Sequence, residues 1–115
     1  MQGGIYACIK CTIYTFENTY KYNLAREGGI FYVESEGNVT LNFDTYQYNT
    51  ATISSGVLFI TTSSFFKIQS CKFQYNYAES DSVITALKTS SVLPFSIKSS
   101  YFTSNTATSN TLSFK

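Results

Sequence analysis

The chain has 115 residues, enough for one domain with a modest core and too few for two. Charged residues make up only 13%, with 8 Lys and Arg against 7 Asp and Glu, so no electrostatic case arises for nucleic acid, an anionic membrane face or an acidic ligand. His is absent, which removes the usual catalytic base and zinc ligand, and no stretch approaches the ~20 apolar residues of a membrane-spanning helix.

Met1-Gln2-Gly3-Gly4-Ile5 has neither the basic start nor the apolar run of a signal peptide, so any targeting signal or anchor is expected outside this chain. The Ser, Thr and aromatic content predicts β structure. Next comes Cys8-x-x-Cys11. With Cys71 the cysteines number three, an odd total that argues against a disulfide framework, and no second such pair completes a zinc set. Cys8 and Cys11 are expected to be ordinary strand residues, and Cys71 is expected at or inside a corner, in a column with Asn18, Asp44 and Ser100.

The rest of the chain is a repeat. An aromatic, two residues, Asn, one residue and Ala recur four times, in Tyr20–Ala25, Tyr46–Ala51, Phe73–Ala78 and Phe102–Ala107. Successive Asn residues stand 26, 27 and 29 positions apart, a period that tolerates small insertions and therefore places them in loops. Before each of the later three copies lies an apolar pair in period-two alternation: Val39/Leu41, Phe66/Ile68 and Phe95/Ile97, with Thr40, Lys67 and Ser96 facing out. The first copy has Ile13 and Thr15 in those places. After each Ala comes another apolar stretch: Ile30–Val33, Val57–Ile60, Val83–Leu87 and Leu112–Phe114. Polar turns at 34–38, 61–64 and 88–91 close the repeats.

Each repeat thus holds about three short strands. A helical solenoid would need 3.6-period apolar stripes, and a propeller blade needs roughly 40 residues. The remaining architecture is all-β: a parallel β-helix of about four rungs, one unit over residues 1–115, beginning and ending in mid-rung. Tyr20, Tyr46, Phe73 and Phe102 become an internal aromatic ladder, and Ala25, Ala51, Ala78 and Ala107 a column where the wall comes close. Asn23, Asn49, Asn76 and Asn105 become a structural Asn ladder at a corner, because Asn tolerates the left-handed backbone and its amide reaches the neighbouring rung. Open rung ends expose unpaired strand edges, so neighbouring rungs or further copies of the chain are expected as partners at both ends.

On these elements the chain resembles right-handed parallel β-helix proteins of the pectin-lyase-like superfamily. It is most similar to the FxxN and GG-apolar repeats of chlamydial polymorphic membrane proteins and of large surface proteins of single-celled eukaryotes. Tyr replaces Phe at Tyr20 and Tyr46. The GG-apolar element stands at Gly3-Gly4-Ile5 and Gly28-Gly29-Ile30, is weakened at Ser55-Gly56-Val57 and is lost near Ser82-Val83. The resemblance implies the fold, and for function it implies surface display as much as carbohydrate chemistry.

Family enzymes use grouped Asp residues, whereas this chain has only Asp44 and Asp81, in different rungs and different repeat positions, and one Arg, Arg26. Glu34 and Glu36 fall short of the six to eight oxygens that calcium takes. No catalytic, metal or cofactor site is therefore expected. Asn38-Val39-Thr40 is an N-glycosylation sequon whose register turns Asn38 outward, and the Ser/Thr turns are candidate O-glycan carriers. Tyr22, Tyr48 and Tyr75 share one outward repeat position and, with Tyr14, are candidates for sugar stacking or an interface. The leading expectation is a non-enzymatic structural or adhesive segment of an extracellular or cell-surface protein, including the shaft of a filament. The alternative is a noncatalytic slice of a carbohydrate-active or carbohydrate-binding β-helix.

Overall fold

Alternating side chains and abundant β-branched and aromatic residues produce only strands in the computed structural model, which describes residues 4–35, 37–61, 65–87 and 95–114. The first turn of the coil holds β1 (Tyr6–Ile9), β2 (Thr12–Phe16), β3 (Thr19–Lys21) and β4 (Leu24–Glu27). The second holds β5 (Phe31–Glu34), β6 (Asn38–Asn42), β7 (Thr45–Gln47) and β8 (Thr50–Ser54). The third holds β9 (Leu58–Thr61), β10 (Phe65–Gln69), β11 (Lys72–Gln74) and β12 (Tyr77–Ala78). Then come β13 (Asp81–Leu87), β14 (Phe95–Lys98), β15 (Tyr101–Thr103) and β16 (Asn110–Phe114).

Strands one period apart pair in parallel, giving four stacked sheets in the orders β1-β5-β9-β13-β16, β2-β6-β10-β14, β3-β7-β11-β15 and β4-β8-β12. Three turns carry all four strands; after them the fourth sheet continues only as a single bridge from Tyr77 to Thr106. The parallel solenoid read from the repeat is present, as about three complete turns where the repeat count pointed to about four rungs. Each complete turn also has four strands rather than three. The extra break falls inside the aromatic–Asn–Ala element, whose aromatic lies on β3, β7, β11 or β15 and whose Ala lies on β4, β8 or β12.

The break is caused by a single residue in the left-handed conformation. Tyr22, Tyr48, Tyr75 and Ser104 hold φ of 58°, 56°, 56° and 54°. The preceding corner uses Glu17, Phe43, Ser70 and Ser99 in the same way, and the other two use Lys10 and Ser35, and Gly28 and Ser55. The left-handed residue at the Asn corner is therefore the one before Asn, which corrects the expectation that Asn itself adopts that conformation. A left-handed residue redirects the next N–H away from the carbonyl ladder, and a buried N–H needs another acceptor. A side chain one turn on supplies it: Asp44 Oδ1 accepts from the Asn18 N–H at 2.8 Å, and Ser100 Oγ from the Cys71 N–H at 3.1 Å. Cys71 thus sits, fully buried, in the corner column expected for it.

The inside of the coil is the core. Val39, Leu41, Phe66 and Ile68 are fully buried, as are Phe31, Val33, Leu58, Ile84, Tyr46 and Phe73. The paired glycines have separate causes. Gly28 has φ +60°, and a Cβ on Gly29 would lie 2.1 Å from the carbonyl oxygen of Gly56 in the next turn, closer than any side chain can come. Cys8 and Cys11 are joined by a disulfide with Cα atoms 5.9 Å apart, a correction to their reading as ordinary strand residues. Cys8 lies on β1 and Cys11 immediately before β2, and the corner at Lys10 brings them together. The polar turns read at 62–64 and 88–91, with the O-glycan candidates on them, lie outside the described residues, as do Gly3 and Glu36.

Candidate functional site

The two middle members of the Asn ladder, Asn49 and Asn76, are buried in the wall. Asn49 Oδ1 accepts from the Asn23 N–H at 3.2 Å and from Asn23 Nδ2 at 2.8 Å. Asn49 Nδ2 donates to the Tyr20 carbonyl at 3.1 Å and to Asn76 Oδ1 at 2.9 Å. Asn76 repeats the pattern one turn on, donating to the Tyr46 carbonyl and to Asn105 Oδ1, both at 3.0 Å. An amide offers two donors and two acceptor positions, and both buried members use all four. Asn49 and Asn76 therefore have no capacity left for a ligand.

The internal aromatic ladder has the register expected of it. Tyr20, Tyr46, Phe73 and Phe102 stack with centroids 5.1, 4.9 and 4.7 Å apart and planes within 8°. Tyr46 is fully buried, and its hydroxyl donates to Asp44 Oδ2 at 3.1 Å. Burial, with the Asp44 charge second, pushes the Tyr20 phenol up to about 12 and Tyr46 well above 10. Burial likewise pushes the Cys71 thiol up to about 11.

Neither aspartate faces an open site. Asp44 is buried and accepts from the Thr15 hydroxyl and the Asn18 N–H as well as from Tyr46. Asp81, also buried, accepts from the hydroxyls of Thr85 and Ser109, both at 3.0 Å. Both carboxylates serve as local acceptors for hydroxyls and N–H groups. The depression over the first turn, lined by residues such as Ile5, Tyr6, Cys8, Cys11 and Ile13, holds no carboxylate. Among the described residues no group of three or more His, Cys, Asp or Glu could hold a metal ion, and no helix is long and apolar enough to cross a membrane.

The regular feature of the outer wall is the second tyrosine column. Tyr22, Tyr48 and Tyr75 are 74%, 43% and 48% exposed, yet their rings stack at 5.2 and 5.1 Å with planes 11° and 6° apart. Beside them Gln47 Nε2 donates to Gln74 Oε1 at 2.7 Å, so the adjacent outward column is also laddered. Tyrosine has no preference for positive φ, and Ser104 closes the same corner one turn on. Corner geometry therefore does not demand tyrosine, which sets this column apart from the Asn column beside it.

The stack also determines what the column can contact. Both faces of Tyr48 are covered by its neighbours, and a sugar ring cannot enter between rings 5.2 Å apart. The outer sides of Tyr22 and Tyr75 carry no stacked tyrosine ring, while the hydroxyl edges of all three form a row at the strand spacing of roughly 4.8 Å. Tyr14, on β2, is exposed on a different sheet and does not join the column. Asn38 is exposed while Val39 is fully buried, as the sequon's register requires, and Asn38 lies between Thr12 and Phe65 of the flanking turns.

Sequence reading placed the column but missed its backbone conformation, since Tyr, Glu and Phe at positive φ carry no compositional signal. Comparison with protein families, with characterised proteins and with solved structures finds no match, so the parallel β-solenoid rests on the strand register above.

Proposed function

We propose that the chain is a non-enzymatic structural or adhesive segment of an extracellular or cell-surface protein, a stretch of rod or filament shaft continued by further turns or copies at its ends. The observation that carries this reading is the commitment of the inner columns. The Asn49 and Asn76 amides are saturated by the ladder and the wall, and both buried aspartates accept from a neighbouring turn, Asp44 from Thr15 and Asn18 and Asp81 from Ser109. Such an interior invests its polar groups in joining turn to turn, which is what a load-bearing solenoid needs. The FxxN and GG-apolar elements support kinship with pectin-lyase-like surface proteins, and exposed Asn38 supports an N-glycan if the chain passes through a eukaryotic secretory route. Electron microscopy of the native material at a resolution that separates turns tests the proposal. Density running on past Met1 and Lys115 as a rod supports it, whereas a compact capped particle with a lateral groove overturns it.

A carbohydrate-binding module is the second reading, favoured by the exposed tyrosine column. Its contacts would come from phenol edges and the two unstacked ring faces, with Tyr48 buttressing its neighbours. Loss of glycan binding in a folded Tyr22→Ala, Tyr75→Ala double variant supports this reading, and unchanged binding removes it.

A further inference from the structure

We propose that Tyr22, Tyr48 and Tyr75 form an oxidative cross-linking site, at which dityrosine bonds staple successive turns of the coil. Three observations meet at this column. The tyrosines are in strict register one turn apart, with rings nearly parallel at 5.2 and 5.1 Å, so equivalent ring edges lie alongside each other. The rings are exposed, Tyr22 by 74%, so a soluble oxidant reaches them. And the same corner closes on Ser104, so the fold itself does not call for a phenol there.

The chemistry needs a one-electron oxidant, for which a haem peroxidase with hydrogen peroxide suffices. One electron and one proton leave each of two phenols. The two phenoxyl radicals join through the ring carbons ortho to oxygen, forming one carbon–carbon bond. Each ortho hydrogen then moves to the ring oxygen as aromaticity returns. Per bond, the two electrons and two protons reduce one hydrogen peroxide to two waters. A staple at this position ties turn to turn on the outside of the wall, opposite the Asn ladder on the inside, and depends on the surface-protein reading only for the natural supply of oxidant.

The inner pair Tyr20 and Tyr46 provides an internal control. Their rings are as close, 5.1 Å, and as parallel, 5°, but Tyr46 is fully buried and its hydroxyl is held by Asp44. Proximity alone would link both pairs; proximity with access links only the outer ones.

The test treats the purified chain, kept dilute and confirmed monomeric, with peroxidase and hydrogen peroxide. Dityrosine fluorescence is followed, and linked peptides are mapped by mass spectrometry. The expected result is intrachain Tyr22–Tyr48 and Tyr48–Tyr75 links. Tyr48→Phe, which keeps the ring stack, abolishes both, while Tyr14→Phe leaves them unchanged. Links scattered over Tyr14, Tyr77 and Tyr101, links found only between chains, or intrachain yield unaffected by Tyr48→Phe would each overturn the proposal. Circular dichroism of the Phe variants before oxidation ensures that a lost link is not lost folding.

Discussion

Two aromatic columns run along this coil two residues apart in sequence, one on each side of the wall, and their geometry is nearly the same. The inner column stacks at 4.7–5.1 Å and the outer at 5.1–5.2 Å, with planes within 8° and 11°. Parallel in-register strands impose this stacking on any repeated ring, so stacking by itself does not distinguish a structural column from a functional one. The difference is enclosure. The inner rings fill the core and replace water, whereas the outer rings remain wet and are held by a corner that Ser104 also satisfies.

If enclosure is what matters, truncating the inner column produces the largest loss. Phe73 is fully buried between Tyr46 and Phe102, and Phe73→Ala is expected to cost about 4 kcal/mol through lost burial and a cavity, measured by urea unfolding. A loss close to that of an outer tyrosine would remove the distinction between the columns. Asn49→Ala comes next. It strands the Asn23 N–H and amide and removes the side-chain donor to the Tyr20 carbonyl and to Asn76 Oδ1, which keeps only the Asn49 N–H, for an expected loss of about 3 kcal/mol in the same assay.

Alkaline pH probes the enclosed column without mutation. The folded state raises Tyr20 from 10.0 to about 12, Tyr46 well above 10.0, and Cys71 from 9.0 to about 11, each first through burial. A raised acid releases its proton more readily when unfolded, so the stability it contributes is complete below its unfolded value and is lost on rising through its folded one. Thermal unfolding is therefore expected to weaken from about pH 9, where Cys71 begins to titrate in the unfolded chain, and to continue falling to about pH 12. Cys71→Ala removes the lower part of that decline, and a melting temperature flat across the window would contradict the burial of these groups.

The repeat was legible because a parallel solenoid writes its columns at a fixed period: Tyr20, Tyr46, Phe73 and Phe102, and the four Asn residues, could be aligned from spacing alone. The alternation at Val39/Leu41 and Phe66/Ile68 identified the buried face for the same reason. The fourth strand was not legible, since it depends on one left-handed residue placed before each Asn, and Tyr22 or Glu17 at positive φ violates local preference rather than expressing it. The Cys8–Cys11 link was hidden too, because parity counts cysteines, whereas the corner at Lys10 is what brings this pair together. At the candidate site, the sequence located the outer tyrosines but not the packing that covers both faces of Tyr48, which follows from backbone register and not from composition.

The smallest expected effect is the most informative about the outer column. Tyr48→Ala removes two ring contacts, each contributing about 0.5–1.5 kcal/mol, but opens no enclosed cavity and leaves the Asn ladder behind it intact. A left-handed residue without stacking already occurs in this column at Ser104, so the corner itself is expected to survive. The variant should therefore remain folded and lose about 1–3 kcal/mol, less than the loss from Phe73→Ala. That margin is what frees tyrosines at this corner to serve contact or cross-linking. If Tyr48→Ala instead unfolds the chain, the outer column is a second structural ladder, and the identity of its residues is explained by the wall alone.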